Sequence, residues 1–372
     1  MRIGLYAPNL GGPAPSGVER CIVGLVRALA AAGSDHEFVL FTDGDVCPPS
    51  PRWRRVAIPP MGKFARLRFD HGGFAKLARS EKVDLVHGLK SFVPAGLDVP
   101  AVLSVYDVIF LRHPEYYPLL WRWYWKRALE GSVERAAAVA CISETTARDV
   151  EEVLPASRGK TRAVPVGVDG RPFEVAPARA AELRERLGVK GTYFLCVGNI
   201  TRRKNIPVLL EAFRQGRSGA GLVLAGAPEY GAGEVRLDVE GVRYLARVTD
   251  EELGALYRGA LALVYPSQYE GFGLPVLEAM ASGCPVIASS GGALAEVAGE
   301  AALLVRPGSV AELAESMGRL AEDRELRGRL SDRGILRAAM FPWERTAALT
   351  LELYEGVRGR AREGAHETAP RP

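Results

Sequence analysis

The sequence predicts an α/β protein built from two doubly wound domains, and three observations carry that expectation. Short apolar runs alternate with helix-period patterns along most of the chain, the signature of βαβ units and parallel sheets. The runs form two sets of similar size, one in each half of the chain. The length of 372 residues, 48% of them hydrophobic, exceeds one compact core and fits two domains of ordinary size.

Taken in order, strands are expected in the first half at 3–7, 37–42, 85–87, 101–106, 138–142 and 162–165. In the second half they are expected at 193–197, 221–225, 242–245, 261–265, 285–288 and 302–305. Between the two sets, Val166-Gly167-Val168-Asp169-Gly170 follows a strand with Gly punctuation, and a helical segment over 178–187 precedes the second set. The expected division is therefore 1–168, 169–342, a final amphipathic helix over 343–357 and a polar, disordered tail over 358–372.

The first strand-to-helix turn is Gly11-Gly12-Pro13-Ala14-Pro15-Ser16-Gly17. It opens a helix with apolar Val18, Cys21, Ile22, Leu25, Val26 and Leu29, and Ser16 and Glu19 have the spacing of a capping box. A Gly-rich turn that starts a helix offers free backbone N–H groups to a phosphate. A connection that binds nothing is the alternative reading.

Composition excludes several classes. No run of 18 apolar residues is present, so no membrane-spanning helix is expected. The start, Met1-Arg2-Ile3-Gly4-Leu5-Tyr6, reads as a buried strand without signal-peptide anatomy, which leads to a cytoplasmic expectation. Cys21, Cys47, Cys141, Cys196 and Cys284 are odd in number and widely spaced, so neither a zinc site nor a disulfide framework is expected. Net charge is only +4, but its distribution is uneven. Between Arg52 and Arg79 stand eight basic residues and one acid, Asp70, with Trp53, Phe64 and Phe69 among them. A second basic and aromatic run is Trp121-Arg122-Trp123-Tyr124-Trp125-Lys126-Arg127. Such mixtures suit an anionic membrane surface or a phosphate-bearing partner; a solvated loop and an ordinary helix are the alternative. No nucleic-acid motif accompanies the charge, so no nucleic acid is expected as a partner.

Two stretches carry chemistry. The first follows the strand at 261–265 and reads Glu270-Gly271-Phe272-Gly273-Leu274-Pro275-Val276-Leu277-Glu278. Glu270 falls just beyond the strand's carboxyl end, where ligands of open α/β sheets bind. Gly271 and Gly273 allow close backbone approach, and Pro275 suits the first turn of a helix. Two carboxylates thus flank an amide-rich turn at a positive helix end. A carboxylate there grips vicinal hydroxyls, and the turn amides serve a sugar or phosphate. The plain alternative is a helix start whose acids favour the dipole. The second stretch is Gly198-Asn199-Ile200-Thr201-Arg202-Arg203-Lys204-Asn205, after the strand at 193–197. Cations here would stabilise a departing diphosphate, whose charge grows as its bond to the sugar breaks. For Arg202 a solvated surface position is the default.

With these residues the chain resembles the retaining glycosyltransferases of family 4, the group 1 transferases, over roughly 2–354. The Glu-x7-Glu element from Glu270 to Glu278 is highly specific for that superfamily. Gly198 through Asn205 is similar to its phosphate-binding turn, with Lys204 at the lysine position and Asn199 where many members have Arg. Ser16-Gly17-Val18-Glu19 resembles the glycine loop that approaches the donor phosphates. Cys141-Ile142-Ser143-Glu144 resembles a further signature of the first domain. Phe341-Pro342-Trp343-Glu344 begins a helix that in this family crosses back to the first domain. Val86-His87-Gly88 and Tyr106-Asp107 with the residues after them look like the bacterial mannosyl- and rhamnosyltransferase branch, in which His is common at position 106.

The resemblance implies the GT-B fold, two Rossmann-like domains with an interdomain cleft, the acceptor on the first and the nucleotide-sugar on the second. It implies a retaining, metal-independent hexosyltransferase that uses GDP-mannose or another nucleoside-diphosphate hexose. The acceptor would be a glycan or a polyprenyl-diphosphate-linked sugar in cell-surface polysaccharide synthesis. The nucleotide-sugar is a substrate, and no cofactor is expected. Lys204 and Arg203 would hold the phosphates and Glu278 the ribose. Glu270 and the turn Gly271-Phe272-Gly273-Leu274 would hold the sugar, while Gly17 and Asn199 approach the donor. Tyr106 and Asp107 would face the transferred sugar, with simple packing at a strand end the alternative for Tyr106. His87 either touches substrate or ends a strand, and His113 is structural. Asp43-Gly44-Asp45 mimics a metal-binding motif of a different transferase fold and is read as a turn. The rival functions are a nucleotide-sugar epimerase or phosphorylase of the same architecture and a non-catalytic nucleotide-binding subunit.

Overall fold

The computed structural model of the chain describes residues 1–8, 10, 16–170, 173–216, 219–228 and 237–367. Most of the first glycine-rich turn, 11–15, lies outside them. The chain forms two compact units. One comprises Met1–Gly167 with the segment from Trp343 onward; the other is Val168–Pro342.

The first unit runs β1 (Arg2–Tyr6), α1 (Gly17–Ala31), β2 (Glu37–Thr42), β3 (Trp53–Ala57), α2 (Lys63–Arg68), a π-helical turn (Phe69–Gly73) and α3 (Phe74–Ser80). It continues through β4 (Leu85–Gly88), β5 (Ala101–Val105), α4 (Ile109–Arg112), α5 (Leu119–Arg135), β6 (Ala136–Cys141), α6 (Glu144–Val153) and β7 (Thr161–Ala163). Its sheet is parallel with the order β3-β2-β1-β4-β5-β6-β7. The order reverses between β1 and β4, the usual ligand position of an open α/β sheet. Ser16 and Glu19 make both bonds of the capping box that starts α1. The buried face of α1 is Cys21, Ile22, Leu25, Val26, Ala28 and Leu29, at helical spacing.

The second unit runs α7 (Pro177–Arg186), β8 (Tyr193–Val197), α8 (Ile206–Gln215), β9 (Gly221–Ala225), β10 (Val242–Leu245), α9 (Asp250–Gly259) and β11 (Ala262–Tyr265). Then come α10 (Leu274–Ala281), β12 (Val286–Ser289), α11 (Leu294–Ala298), β13 (Leu303–Val305), α12 (Val310–Glu322) and α13 (Arg324–Ala338). The six-stranded parallel sheet has the order β10-β9-β8-β11-β12-β13 and reverses between β8 and β11. Fully buried strands explain the near-continuous apolar runs in the sequence.

Two expectations need correction. The strand β3 is absent from the sequence reading because Arg54 and Arg55 break its apolar run. It is an edge strand, where charge is tolerated and guards against pairing with other chains. The last helix, α14, spans Trp343–Glu367, so it continues through ten residues expected to be tail. Ala, Arg and Glu dominate there and no proline intervenes before Pro370. Residues 368–372 lie outside the described residues.

Helix α14 packs in the first unit. The Trp343 ring fills a slot between two glycines, and a Cβ on Gly24 would lie 2.1 Å from it and one on Gly167 2.6 Å. Further along, the Thr346 hydroxyl donates to the Pro165 carbonyl at 2.7 Å and Tyr354 is wholly buried. Overpacking a site of this kind costs typically about 1–3 kcal/mol. Gly24→Ala should therefore lower the thermal midpoint, whereas Gly17→Ala, with open space at its Cβ position, should lower it much less. Equal melting of the two variants in scanning calorimetry would count against the slot.

Candidate functional site

In the second unit, the loops after β8 and β11 meet at the point where strand order reverses. Gly198 ends β8 at φ +124°, where a side chain is strained, and a Cβ there would lie 3.3 Å from Lys204 Cε. Thr201 caps a single 3-10 turn, Arg202–Lys204. Asn205, in the left-handed region at φ +57°, then turns the chain into α8. The second loop is stitched to the first by backbone and side chain. Gln268 N–H donates to Arg203 O at 2.8 Å and Asn205 Nδ2 to Pro266 O at 3.3 Å. Arg203 also donates to the Tyr269 carbonyl at 2.9 Å.

At the centre is one carboxylate shared by two cations. Glu270 Oε1 lies 2.7 Å from Lys204 Nζ and 2.5 Å from an Arg203 guanidinium nitrogen. Lys204 Nζ also donates to the Tyr265 hydroxyl, at the carboxyl end of β11. Burial by itself would raise the Glu270 carboxyl, but Lys204 and then Arg203 outweigh it and hold it at about 2. Burial pulls the Lys204 ammonium down, with Glu270 opposing. Glu270 is tolerated in the interior because both cations reach it, and each cation is offset by Glu270, while Arg203 works against the Lys204 charge.

The carbonyl of Glu270 accepts from Ala293 N–H at 2.8 Å, beside Gly292, where a Cβ would collide with that same carbonyl. Gly271, Phe272 and Gly273 are buried, and Gly273 at φ +99° caps α10, with Pro275 in its first turn. The Phe272 ring packs edge-on against Phe341. Glu278 projects from α10, is nine-tenths buried and accepts from the Tyr257 hydroxyl at 3.3 Å. Leu274 is half-buried and Asn199 exposed. The unit thus gathers two buried carboxylates, two cations and a glycine-lined helix start at one end of a parallel sheet, chemistry suited to a phosphorylated, hydroxyl-bearing ligand.

Comparison with known proteins agrees. The family model "Glycosyl transferases group 1" matches residues 181–337 and "Glycosyltransferase Family 4" matches 15–170. O-antigen chain mannosyltransferase B of Escherichia coli is 31% identical over 295 residues, covering 72% of this chain and 77% of that protein. The chain belongs to the group 1 glycosyltransferases. D-rhamnosyltransferase WbpZ of Pseudomonas aeruginosa is 31% identical over 211 residues, 54% of this chain and 50% of its own length. Among solved structures, sucrose-phosphate synthase of Thermosynechococcus elongatus superposes with a TM-score of 0.78 at 25% identity, covering 96% of this chain and 99% of that one. The fold is therefore GT-B, and the chain is a sugar transferase.

The remaining residues singled out in this glycosyltransferase lie in the first unit. Gly17 starts α1 and is exposed. Asp107 accepts from Ile109 N–H at 3.1 Å just beyond β5. Tyr106 is buried, and its phenol is held with Ser104 and Cys21 for neighbours. This is the packing arrangement at a strand end, not an open hydroxyl. His87 is also interior, with Nδ1 2.7 Å from the Tyr354 hydroxyl and Nε2 2.9 Å from Ser104 Oγ. Burial holds its pKa down at about 3, so the ring is neutral and occupied by protein partners. His113 pairs with Glu115. Asp43 accepts from Leu10 N–H and Asp45 pairs with Arg55, as turn residues do. Sequence reasoning missed Tyr265 and Tyr257. The first ends an expected strand, so its position was legible; the second sits on a helix with nothing to mark it.

The triad makes a stability prediction. Removing one charge from a buried pair costs about 3–5 kcal/mol because the partner is left uncompensated. Glu270→Gln should therefore destabilise, and adding Lys204→Met should restore much of the loss. Because the folded-state pKa of Glu270 is depressed, its contribution is full above the ordinary value of 4.5 and disappears as pH falls through about 2. Denaturation at pH 7 showing Glu270→Gln as stable as the parent would overturn this account.

Proposed function

We propose that this glycosyltransferase is a retaining hexosyltransferase. It moves a mannose-like sugar from a nucleoside-diphosphate donor, GDP-mannose being the first candidate. The acceptor is a hydroxyl of a glycan or polyprenyl-diphosphate-linked sugar in cell-surface polysaccharide synthesis. The observation that carries the reading is Glu270 holding Lys204 and Arg203 together beside the start of α10. The mannosyl- and rhamnosyltransferase relatives support the donor class.

In this scheme Glu278 accepts the ribose hydroxyls, and Glu270 with the amides of 271–274 holds the sugar. Lys204 and Arg203 face the diphosphate, with Asn199 and Gly17 approaching the donor. As the sugar C1–O bond to phosphate breaks, the growing charge on the leaving diphosphate strengthens its attraction to the two cations. The new C1–O bond to the acceptor forms on the same face, and the acceptor proton passes to a leaving phosphate oxygen. In this scheme Asp107, just beyond β5, acts on the transferred sugar, and the buried Tyr106 beside it keeps the end of that strand in place. Lys204 and Arg203 supply the positive charge that a metal supplies elsewhere, so the reaction is metal-independent in this scheme.

We also propose a peripheral position on the inner face of the cell membrane. The first turns of α5 turn apolar side chains outward. Leu120 is 83% and Trp123 61% exposed, with Tyr124, Lys126 and Arg127 beside them. On α2, Phe64 is 90% exposed near Arg68. Exposed aromatic and basic residues suit a lipid headgroup layer.

A mass-spectrometric screen of nucleotide-sugars, with and without polyprenyl-diphosphate glycans, tests the transferase reading. GDP-mannose should be consumed only with acceptor, the product should keep the donor's anomeric configuration, and EDTA should leave the rate unchanged. An inverted product or consumption without acceptor overturns it. With the active pair, Lys204→Ala should lower kcat more than it raises KM. Glu278→Ala should weaken donor and free nucleotide alike, by about 1.5–3 kcal/mol.

For the membrane, Trp123→Ser with Arg127→Glu should reduce sedimentation with phosphatidylglycerol vesicles, and added salt should weaken the parent's binding. Arg66 is unsuitable for that test because it donates to Tyr6. Equal pelleting of parent and variant at low salt would remove α5 from the membrane contact.

A further inference from the structure

The first unit holds a polar cluster that none of the functional motifs includes. Tyr6 ends β1, the strand at which sheet order reverses, and pairs in register with Gly88 at the end of β4. Its ring is buried against Phe74, with centroids 4.4 Å apart, in the core that also contains Phe41 and Val86. Tyr6 is 1% exposed, and its hydroxyl donates to Asp70 Oδ1 at the margin of that core. Arg66 donates to the same hydroxyl oxygen at 3.3 Å.

Asp70 is held from three directions. Tyr6 fixes its carboxylate, the π-helical turn Phe69–Gly73 fixes its place between α2 and α3, and Ala95 N–H donates to its carbonyl at 2.8 Å. The turn closes tightly because position 73 is glycine; a Cβ there would lie 2.8 Å from the Phe69 ring. Gly72 inside it departs from helical dihedrals, so the turn is a kink between α2 and α3. Asp70 is also the one acid among the eight basic residues of 52–79. Its carboxyl is half-buried, and burial raises its pKa against the opposing pull of Tyr6, Arg66 and His71.

A surface aspartate in a basic stretch needs no such anchoring to be satisfied. A carboxylate, a guanidinium and a phenol fixed together at the carboxyl end of a central strand form a set that recognises vicinal hydroxyls. The carboxylate accepts from one hydroxyl while the guanidinium donates to the next oxygen.

We propose that Asp70, with Arg66 beside it and Tyr6 as the positioning residue, binds hydroxyls of the acceptor sugar. The proposal rests on the transferase reading above and adds the acceptor's anchor on the first unit. The nucleotide contacts in this reading are Lys204, Arg203 and Glu278 of the second unit, so nucleotide and acceptor affinity respond to different mutations.

The test uses the full chain and the donor and acceptor found active in the screen, with donor saturating. Asp70→Asn should raise the acceptor KM roughly ten- to a hundredfold, the size expected for loss of a charge-assisted hydrogen bond. Calorimetric affinity for free GDP should stay within about twofold of the parent, the scatter expected for a site with no shared contacts. Asp70→Glu should recover part of the acceptor affinity that Asp70→Asn loses. Tyr6→Phe keeps the buried ring and should raise the acceptor KM by a smaller factor, with kcat little changed. An unchanged acceptor KM in folded Asp70→Asn overturns the proposal. So does a parallel loss of GDP affinity, which would make Asp70 part of the donor site or of the fold. A parent enzyme that transfers to no acceptor overturns the transferase reading instead, and this site with it.

Discussion

A carboxylate buried between two cations governs the second unit. Glu270 is stable as an anion only because Lys204 and Arg203 reach it, and those cations are tolerated so far inside only because Glu270 is there. The requirement propagates into the backbone. Gly198 leaves room for the lysine stem, Asn205 takes a left-handed turn so that α8 can start, and Gly292 lets a neighbouring loop press on the Glu270 carbonyl. The glycines of the motif are thus consequences of where charge must be placed. One carboxylate against two cations leaves the cluster with a net positive charge, and both cations are held in place before any ligand arrives, so little reorganisation remains at the moment of reaction.

The first unit is organised around a neutral group. His87 links Tyr354 of α14 to Ser104 of β5, and its burial keeps it uncharged. A buried polar network of this kind tolerates one arrangement of its neighbours because any slip leaves a donor or acceptor unpaired. It therefore sets the register of the last helix against the sheet and reaches, through Ser104, the strand that Tyr106 follows. Charge in one unit and neutral hydrogen bonding in the other serve the same end, which is to hold the carboxyl edges of parallel strands in fixed positions.

Much of this was legible in the sequence. Apolar runs located twelve strands, most of them buried on both faces, with β7, β10 and β13 only partly so, and their predicted ends differ from the observed ones by no more than two residues. Glu270, Glu278, Lys204 and Arg203 were legible because glycines and proline punctuate the turns that carry them. The edge strand Trp53–Ala57 was not, since its exposed arginines hide the pattern. The continuation of the final helix beyond 357 was not, because a polar surface and a polar tail look alike without a packing partner. His87 and Tyr106 resisted for another reason. A polar residue at a strand end has the same sequence signature whether it faces substrate or the interior, and only the partners of His87, 17 and 267 residues away, decide.

The seating of Trp343 between Gly24 and Gly167 has a consequence for biosynthesis. The second unit is contiguous in sequence, so all of its residues have been made when synthesis reaches Pro342. The strands of the first unit precede the second unit in sequence, yet its closing helix α14 follows it. Its nascent sheet has an open glycine slot, and the Nδ1 of His87 lacks its Tyr354 partner, while the second unit is translated. The unit whose strands are made first is thus the last to be completed.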